Sequence, residues 1–322
     1  MKNRKVKLGV LVLAAVTVFT ATAFAASKDN DGYEALKQIM KDSRQTEHLS
    51  SASISGTLKV SDLGVTIAEA NGTVKASHDR NEASGNVQVN LKGTEQNLSF
   101  FKNGEDMYLA DDTNTKYYKL VNDEKDLGNR YERYNGEKYD TQAEYSMGPA
   151  QEALLDYLMG GLKSQFELSR NADGSKTITM DLNQNEIPVP LNLLTAVAVE
   201  SKDKGINSGN EAETNAAQKQ LLMEKLPFLK DFEGLDTDMP ELQKNVKLTA
   251  LVVKFTVDSN DQLKSFETKL SIAGEDSAGA SHEITFQGLA SISDINNTNV
   301  DQFSRDGKDI EVLSARDFDC KR

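Results

Sequence analysis

The sequence predicts an α+β protein built on a curved antiparallel β-sheet, a half-barrel-like meander with helices packed on one face. Two regions, about 53–120 and 246–293, alternate apolar and polar residues with the period of two that is typical of half-buried strands. Turn residues, with no helix-period pattern, separate the segments of the first region. Between the two regions, apolar residues occur in long runs instead. The order of meander, helices and meander predicts this fold class.

A short helix is predicted before the first strand. Asp31 can cap it, and the apolar residues that follow recur at helical spacing through about His48: Tyr33, Leu36, Ile39 and Met40. Strands are predicted next, in the segments Ile54–Val60, Val74–His78, Val87–Leu91, Leu98–Phe100, Met107–Leu109 and Tyr117–Leu120. We place the turns between them at dipeptides that end in glycine, because Asn-Gly between alternating segments favours a hairpin: Asn71-Gly72, Ser84-Gly85, Lys92-Gly93 and Asn103-Gly104.

The middle of the chain predicts a helical insertion over about 185–230. It follows a polar, tyrosine-bearing loop (122–145) and a helix that begins near Pro149. The insertion contains the apolar run 187–199 and a second apolar helix, which Pro227 should kink or end. The chain then returns to strands; the segment 246–257 is apolar in both phases, which predicts a strand covered on both sides. The polar tail, about 294–322, is expected to pack loosely.

The amino terminus has the pattern of a secretory signal peptide. A basic stretch is followed by the apolar run 8–24, and Ala23-Phe24-Ala25 matches the small-residue cleavage site. We therefore expect residues 1–25 to be removed and 26–322 to form a single extracytoplasmic domain, secreted or in the cell envelope. The apolar run is long enough to remain as an anchor if it is not cleaved. No transmembrane segment is expected after cleavage.

Charge and cysteine content narrow the function classes. The chain has 37 basic and 50 acidic residues and a net charge of −13, and such a surface repels the phosphate backbone. Nucleic acid is therefore excluded as a partner. The single cysteine, Cys320, can form no internal disulfide, so the apolar core alone must stabilise the domain. Cys320 is either an exposed tail residue or the site of an intermolecular bridge.

No catalytic or metal-binding motif stands out. The three histidines, His48, His78 and His282, share no metal-ligand spacing. The serine-nucleophile and phosphate-loop motifs are also missing. We therefore expect a non-enzymatic protein without catalytic residues, metal or cofactor. The least favoured alternative is a hydrolase whose carboxylates, or whose His78 and His282, meet only in the fold.

The arrangement resembles that of the LolA/LppX-like lipoprotein-carrier superfamily. The matching features are the helix from Tyr33, the strands from Ile54 to Leu120, the insertion at 187–229 and the strands at 246–293. The entry into the first strand, Ser50–Thr57, and the pair Met107-Tyr108 followed by Lys116-Tyr117-Tyr118 carry the resemblance locally. It implies burial of a lipid or other apolar ligand between sheet and helices. The lipobox cysteine of the lipoprotein members is missing here, so a lipid anchor is not expected.

The resemblance and the apolar pattern together nominate a ligand-binding lining. It comprises Phe100, Leu191, Leu194, Val197, Leu222, Leu226, Phe228 and Phe286. The alternative is an interaction module with a solid core, whose sheet edges or tyrosine-rich loop dock another envelope protein. A connected apolar cavity between sheet and helices would distinguish the first interpretation from the second.

Overall fold

All strands of the described chain belong to one sheet. The computed structural model describes residues 32–33, 35, 50–121, 162–189, 191–193, 195, 221, 223–232, 239–260 and 262–314. The strands are β1 Ser51–Asp62, β2 Val65–Ser77, β3 Glu82–Leu91, β4 Thr94–Asn103, β5 Asp106–Asp111, β6 Lys116–Val121, β7 Phe166–Arg170, β8 Lys176–Asn183, β9 Lys244–Val257, β10 Leu263–Glu275, β11 Ser281–Ser293 and β12 Ile310–Ser314.

The sheet is an open, curved meander that confirms the predicted fold class. Its order is β12-β6-β5-β4-β3-β2-β1-β11-β10-β9-β8-β7. The ladder between β1 and β11 joins the two predicted meanders, with register pairs from Ser53–Ser293 to Asp62–Ile284. Neighbours are antiparallel except β12, which pairs in parallel with β6. The long ladders explain why the sheet remains continuous across its centre.

One face of the sheet is apolar, and its first packed region is the β8–β11 cluster. Alternate residues of a strand lie on one face. Leu251, Val253 and Phe255 of β9 therefore align with Leu182, Met180 and Ile178 of β8. All of these side chains are buried. Residues from outside the sheet pack on this cluster: Tyr33, Leu162, Ile187, Leu191, Met239 and Leu242.

The second packed region, the β6–β12 cluster, lies near the opposite edge of the same face. It consists of buried Tyr118, Leu226, Phe228 and Leu313, with partly buried Leu98, Leu109, Leu120 and Leu229 around them. Burial raises the pKa of the Tyr118 phenol above its ordinary value. Among the described residues, the apolar face thus has two separate cores, one towards each edge.

Helical segments cover this face at both clusters. Residues 32, 33 and 35 are helical, as are the described residues from Val189 to Thr195. A second helical stretch reaches Lys225, and a 3-10 helix then runs over Pro227–Phe232, where the sequence predicts that proline ends or kinks the helix. Another short 3-10 helix, Lys163–Gln165, precedes β7. The helix predicted near Pro149 and the loop 122–145 lie outside the described residues.

The opposite, polar face is crossed by the segment 294–309, here called the strap. Asp301 accepts hydrogen bonds from Lys75 Nζ at 3.0 Å and from Ser84 Oγ at 3.3 Å. Phe303 stacks on Tyr108 with ring centroids 4.5 Å apart. The strap then leads into β12. The sequence predicted a loosely packed tail over about 294–322, whereas residues 294–314 are packed on or paired with the sheet because Phe303 and Asp301 have partners there; residues 315–322 lie outside the described part.

Two predicted turns are wrong. Asn71-Gly72 lies within β2 and Ser84-Gly85 within β3, whereas Lys92-Gly93 and Asn103-Gly104 are at strand ends as predicted. Gly72 pairs with Gly56, and a Cβ on Gly72 would lie 2.5 Å from the Asn86 carbonyl oxygen. These glycines therefore permit close approach of neighbouring backbones rather than a reversal. The prediction that both faces of 246–257 are covered also needs correction, since only the 251-253-255-257 face of β9 is fully buried.

Candidate functional site

Between the two clusters, the apolar face carries large aliphatic side chains that remain accessible. Ile54, Leu58 and Val74 are 45%, 44% and 40% exposed. Ile54 pairs with Val74, and both belong to a cross-strand row that continues through Gly85, Phe100 and Leu109 to Tyr118. Leu58 lies two residues before Val60 on the same face, and Val60 belongs to the β8–β11 cluster. We call this region of β11, β1 and β2 the central strip.

Glycine and alanine residues surround the aliphatic side chains of the central strip. Leu58 lies opposite Ala70 on β2 and Gly288 on β11, and Gly56 lies opposite Gly72 and Ala290. Side chains of this size fill little of the space above a sheet, so the aliphatic groups beside them stay accessible. The strip is therefore a shallow apolar surface with larger, packed side chains on both sides.

Phe100 lies at the border of the strip. Gly85 is its cross-strand partner on β3, and a Cβ on Gly85 would collide with the Phe100 ring. The ring therefore lies over Gly85 and is directed towards the strip. Of the predicted lining residues that the structure describes, Phe100 is the one that lies beside the strip.

The other predicted lining residues divide between the clusters. Phe286 is buried and Leu191 partly buried in the β8–β11 cluster. Leu226 and Phe228 are buried in the β6–β12 cluster. The structure thus does not bring these four into one cavity. Leu194, Val197 and Leu222 lie outside the described residues.

The sequence did not single out the strip residues themselves. Alternation assigned Ile54 and Leu58 to the apolar phase of their strand, and that assignment agrees with the structure. It could not show that the helical segments pack towards the two edges. Without that knowledge, these positions are indistinguishable from ordinary core residues.

A second concave region lies on the polar face of the same strands. A groove of about 380 Å³ is lined by hydroxyl and amide side chains together with Leu289: Ser55, Thr57, Asn71, Thr73, Asn86, Gln88 and Ser291, with Gly56 and Gly72. The Ser55 and Thr73 hydroxyl oxygens are 2.9 Å apart and bond to each other. Such a lining suits water and does not suit an apolar ligand.

Among the described residues, His282 makes the closest contacts between a histidine and carboxylates. His282 Nδ1 is 2.7 Å from Asp62 Oδ2, and its Nε2 is 3.6 Å from Asp276 Oδ2. The Asp62 hydrogen bond raises the pKa of His282, although burial opposes it. His78 follows β2 near Ser50, at the other end of β1. The two histidines lie beside positions that are twelve residues apart along β1, which corresponds to roughly 40 Å of extended strand.

The described residues contain no group of three or more His, Cys, Asp or Glu side chains arranged to hold a metal ion. None of the helices among these residues is both long enough and apolar enough to cross a membrane.

Comparison with known proteins finds only distant structural likenesses. No protein-family model matches the sequence. No curated protein matches it either. A solved structure concerned with lipid–protein interactions in lipovitellin aligns with 81% of this chain at 8% identity and a TM-score of 0.24, and this chain covers 26% of lipovitellin. A Thermobifida fusca protein assigned as a thioesterase II aligns with 84% of this chain and 89% of its own, at 11% identity and a TM-score of 0.12. At these scores neither structure assigns an activity to the chain.

Proposed function

We propose that the protein is an exported, non-enzymatic binding protein that holds an acyl chain or similar apolar ligand on the central strip. The observation that supports this is the exposure of Ile54, Leu58 and Val74 between two packed clusters of one face. Exposed apolar patches of soluble proteins commonly mark ligand or partner sites. The resemblance to lipoprotein carriers in architecture, and the signal-peptide pattern of residues 1–25, are consistent with it.

The free energy of binding sets a minimum length for the acyl chain. Each methylene removed from water contributes about 0.8 kcal/mol, whereas association costs about 4–15 kcal/mol in lost freedom of motion. A chain of about twelve methylenes contributes about 10 kcal/mol, and one of about four contributes about 3 kcal/mol. Binding to the strip therefore requires a long chain. Ligand affinity should depend steeply on chain length.

The test uses fluorescence of cis-parinaric acid, a polyene fatty acid whose emission rises in an apolar site. The processed protein, purified after export and expected to begin at Ala26, is titrated with this probe. Myristate should displace the probe and hexanoate should not. If neither displaces it, or if the probe does not bind, the strip holds no acyl chain.

Leu58→Asn supplies the site-specific variant, and Leu289→Asn is its matched control. The two leucines are 44% and 43% exposed, on neighbouring strands, but on opposite faces. Leu58→Asn should weaken probe binding about tenfold or more, since full burial of a leucine contributes about 1.5–3 kcal/mol. Leu289→Asn should leave it unchanged. Equal effects would contradict a site on the apolar face.

The rival proposal, an interaction module with a solid core, makes the opposite prediction. It predicts that displacement of the probe does not depend on the chain length of the fatty acid, and that probe binding does not differ between the two asparagine variants. The same titration therefore separates the two functions.

A further inference from the structure

One end of the sheet presents a group of exposed aliphatic side chains. β1 and β2 are joined by a hairpin turn at Leu63-Gly64, and Leu63 and Val65 are 63% and 71% exposed. We call residues 63–65 the tip. Val189 and Leu193 are also exposed, at 78% and 64%.

The tip and the segment 189–193 lie at the same end of the sheet. The Asn192 side chain accepts a hydrogen bond from the Leu248 backbone N–H at 2.7 Å. Leu248, Ile272, Ile284 and Asp62 then form one cross-strand row from β9 to β1. Since Asp62 directly precedes Leu63, the row leads from this segment to the tip.

The backbone conformation of the tip indicates that Leu63 does not stabilise the fold. Leu63 has φ +48° and Gly64 has φ +82°, so both turn positions are left-handed. Asparagine, aspartate and glycine are favoured at the first such position, and a leucine is strained there. Of the six other left-handed non-glycine positions in the described residues, four are asparagine or aspartate (Asn81, Asn245, Asp294 and Asn296) and two are Lys92 and Thr115, so Leu63 is the one large apolar side chain among them. The exposed Leu63 side chain recovers little of this cost by burial.

We propose that the tip is a membrane-docking element that inserts its aliphatic side chains shallowly into the surface of a zwitterionic lipid bilayer. The role of this docking rests on the proposed function, since a ligand on the central strip would have to reach the membrane. β1 connects the two places: it runs from Leu58 of the central strip to the tip over five residues, about 16 Å. The strap holds the opposite end of β1, where the Ser50 backbone N–H donates to Asn296 and the Thr298 backbone N–H donates to Ser51. The tip is the end of β1 that carries exposed aliphatic side chains, so a ligand that leaves the strip along β1 in that direction reaches the tip.

The charged side chains beside the tip indicate which lipid headgroups it can approach. Asp62, Asp276 and Glu283 lie beside the tip, with His282 between the two aspartates. Lys92 lies in the adjacent β3–β4 turn, and Lys247 and Lys244 lie at the start of β9, where Lys244 is opposite Glu275. Carboxylates in this position repel anionic headgroups, and the chain as a whole has a net charge of −13. Phosphatidylcholine is accordingly the lipid that the tip fits.

The test exploits the absence of tryptophan from the sequence. Leu63→Trp introduces one indole at the tip, and Val312→Trp introduces one at a 59% exposed position on the far edge strand. On addition of phosphatidylcholine vesicles to the processed protein, the indole at 63 should shift its emission to shorter wavelength and the one at 312 should not. Shifts in both variants, or in neither, overturn the proposal. A shift at 63 without vesicles, with elution as a dimer, assigns the tip to a second copy instead and also overturns it.

A double variant, Leu63→Asn with Val65→Asn, separates this proposal from the proposed function. It should weaken sedimentation with phosphatidylcholine vesicles roughly tenfold to a hundredfold, yet bind cis-parinaric acid in solution as well as the wild type. Leu58→Asn should do the reverse. If the double variant retains vesicle binding, the tip is not the docking element. If the wild type binds vesicles through the tip but does not bind cis-parinaric acid, the proposed function is wrong and the docking proposal is still supported.

Discussion

At the residue scale, glycine has two different roles that the sequence cannot separate. Asn71-Gly72 matches the strongest hairpin signal, yet Gly72 lies mid-strand because the Asn86 carbonyl approaches it too closely for a Cβ. The true hairpin at Leu63-Gly64 has a leucine where an asparagine would be expected. In both places a local rule is overridden, once by the approach of a neighbouring strand and once by a side chain that we assign to membrane contact.

His282 gives a residue-scale prediction about pH. Its pKa is raised by the Asp62 hydrogen bond, so the protonated form is more favourable in the folded than in the unfolded protein. The stabilisation is complete below about pH 6.5, the ordinary histidine pKa, and is lost as pH rises through the raised folded pKa. Urea unfolding from about pH 5.5 to about pH 8.5 should therefore show falling stability with a histidine-dependent component.

His282→Gln is the matched variant for that measurement. The amide retains hydrogen-bonding capacity towards Asp62 but does not titrate in this range. The difference in unfolding free energy between wild type and variant should shrink as pH rises. A difference that stays constant over the whole range would show that the His282–Asp62 contact does not depend on the histidine charge.

At the element scale, the strap shows why a polar segment can still be ordered. Its sequence lacks a periodic apolar pattern, so nothing predicted packing before the structure placed Phe303 among Phe101, Tyr108 and Tyr117. Arg305 also bonds Asp106 at 3.0 Å, and contacts with Lys119 and Arg305 hold the pKa of the Asp106 carboxyl below its ordinary value. Phe303, which has aromatic partners on the sheet, acts together with the bonds of Asp301 and Arg305 to hold this segment on the sheet.

Phe303→Ala should therefore destabilise the protein by about 1–3 kcal/mol, less than a fully buried phenylalanine because the ring is only partly covered. Gln302→Ala, the neighbouring and exposed position, should change stability by less than about 0.5 kcal/mol. Urea unfolding monitored by far-ultraviolet circular dichroism measures both. Similar effects for the two variants would mean that the ring contacts of the strap contribute nothing specific.

The elements with strong periodicity were predictable, and those placed by tertiary contact were not. Alternation identified β1, β10 and β11 with their apolar faces, because burial of one face imposes a period of two. The division of the helical segments between two clusters was not predictable, since amphipathic residues such as Leu191 and Phe228 fit either part of the face. That division decides whether the predicted lining residues meet.

At the scale of the whole molecule, the sheet joins two cores through strands whose apolar face is only partly covered. β1 and β2 are held by long ladders to their neighbours rather than by a large core of their own. Ile54, Leu58 and Val74 are the exposed part of this bridge. A ligand on the central strip would therefore cover the region where apolar packing is least complete.

Hydrogen exchange with and without myristate tests this. A ligand that binds only the folded protein stabilises it in proportion to its saturation, and local opening should fall most where the ligand lies. Backbone amides of β1, β2 and β11 should gain the most protection, while those of β7 and β8 beneath the β8–β11 cluster should gain only the global increment. Leu58→Asn should lose the local gain, and Leu289→Asn should keep it. Protection centred on β7 and β8, or spread uniformly over the sheet, would place the ligand away from the strip, because covering Ile54, Leu58 and Val74 cannot slow exchange at a distant edge more than beneath itself.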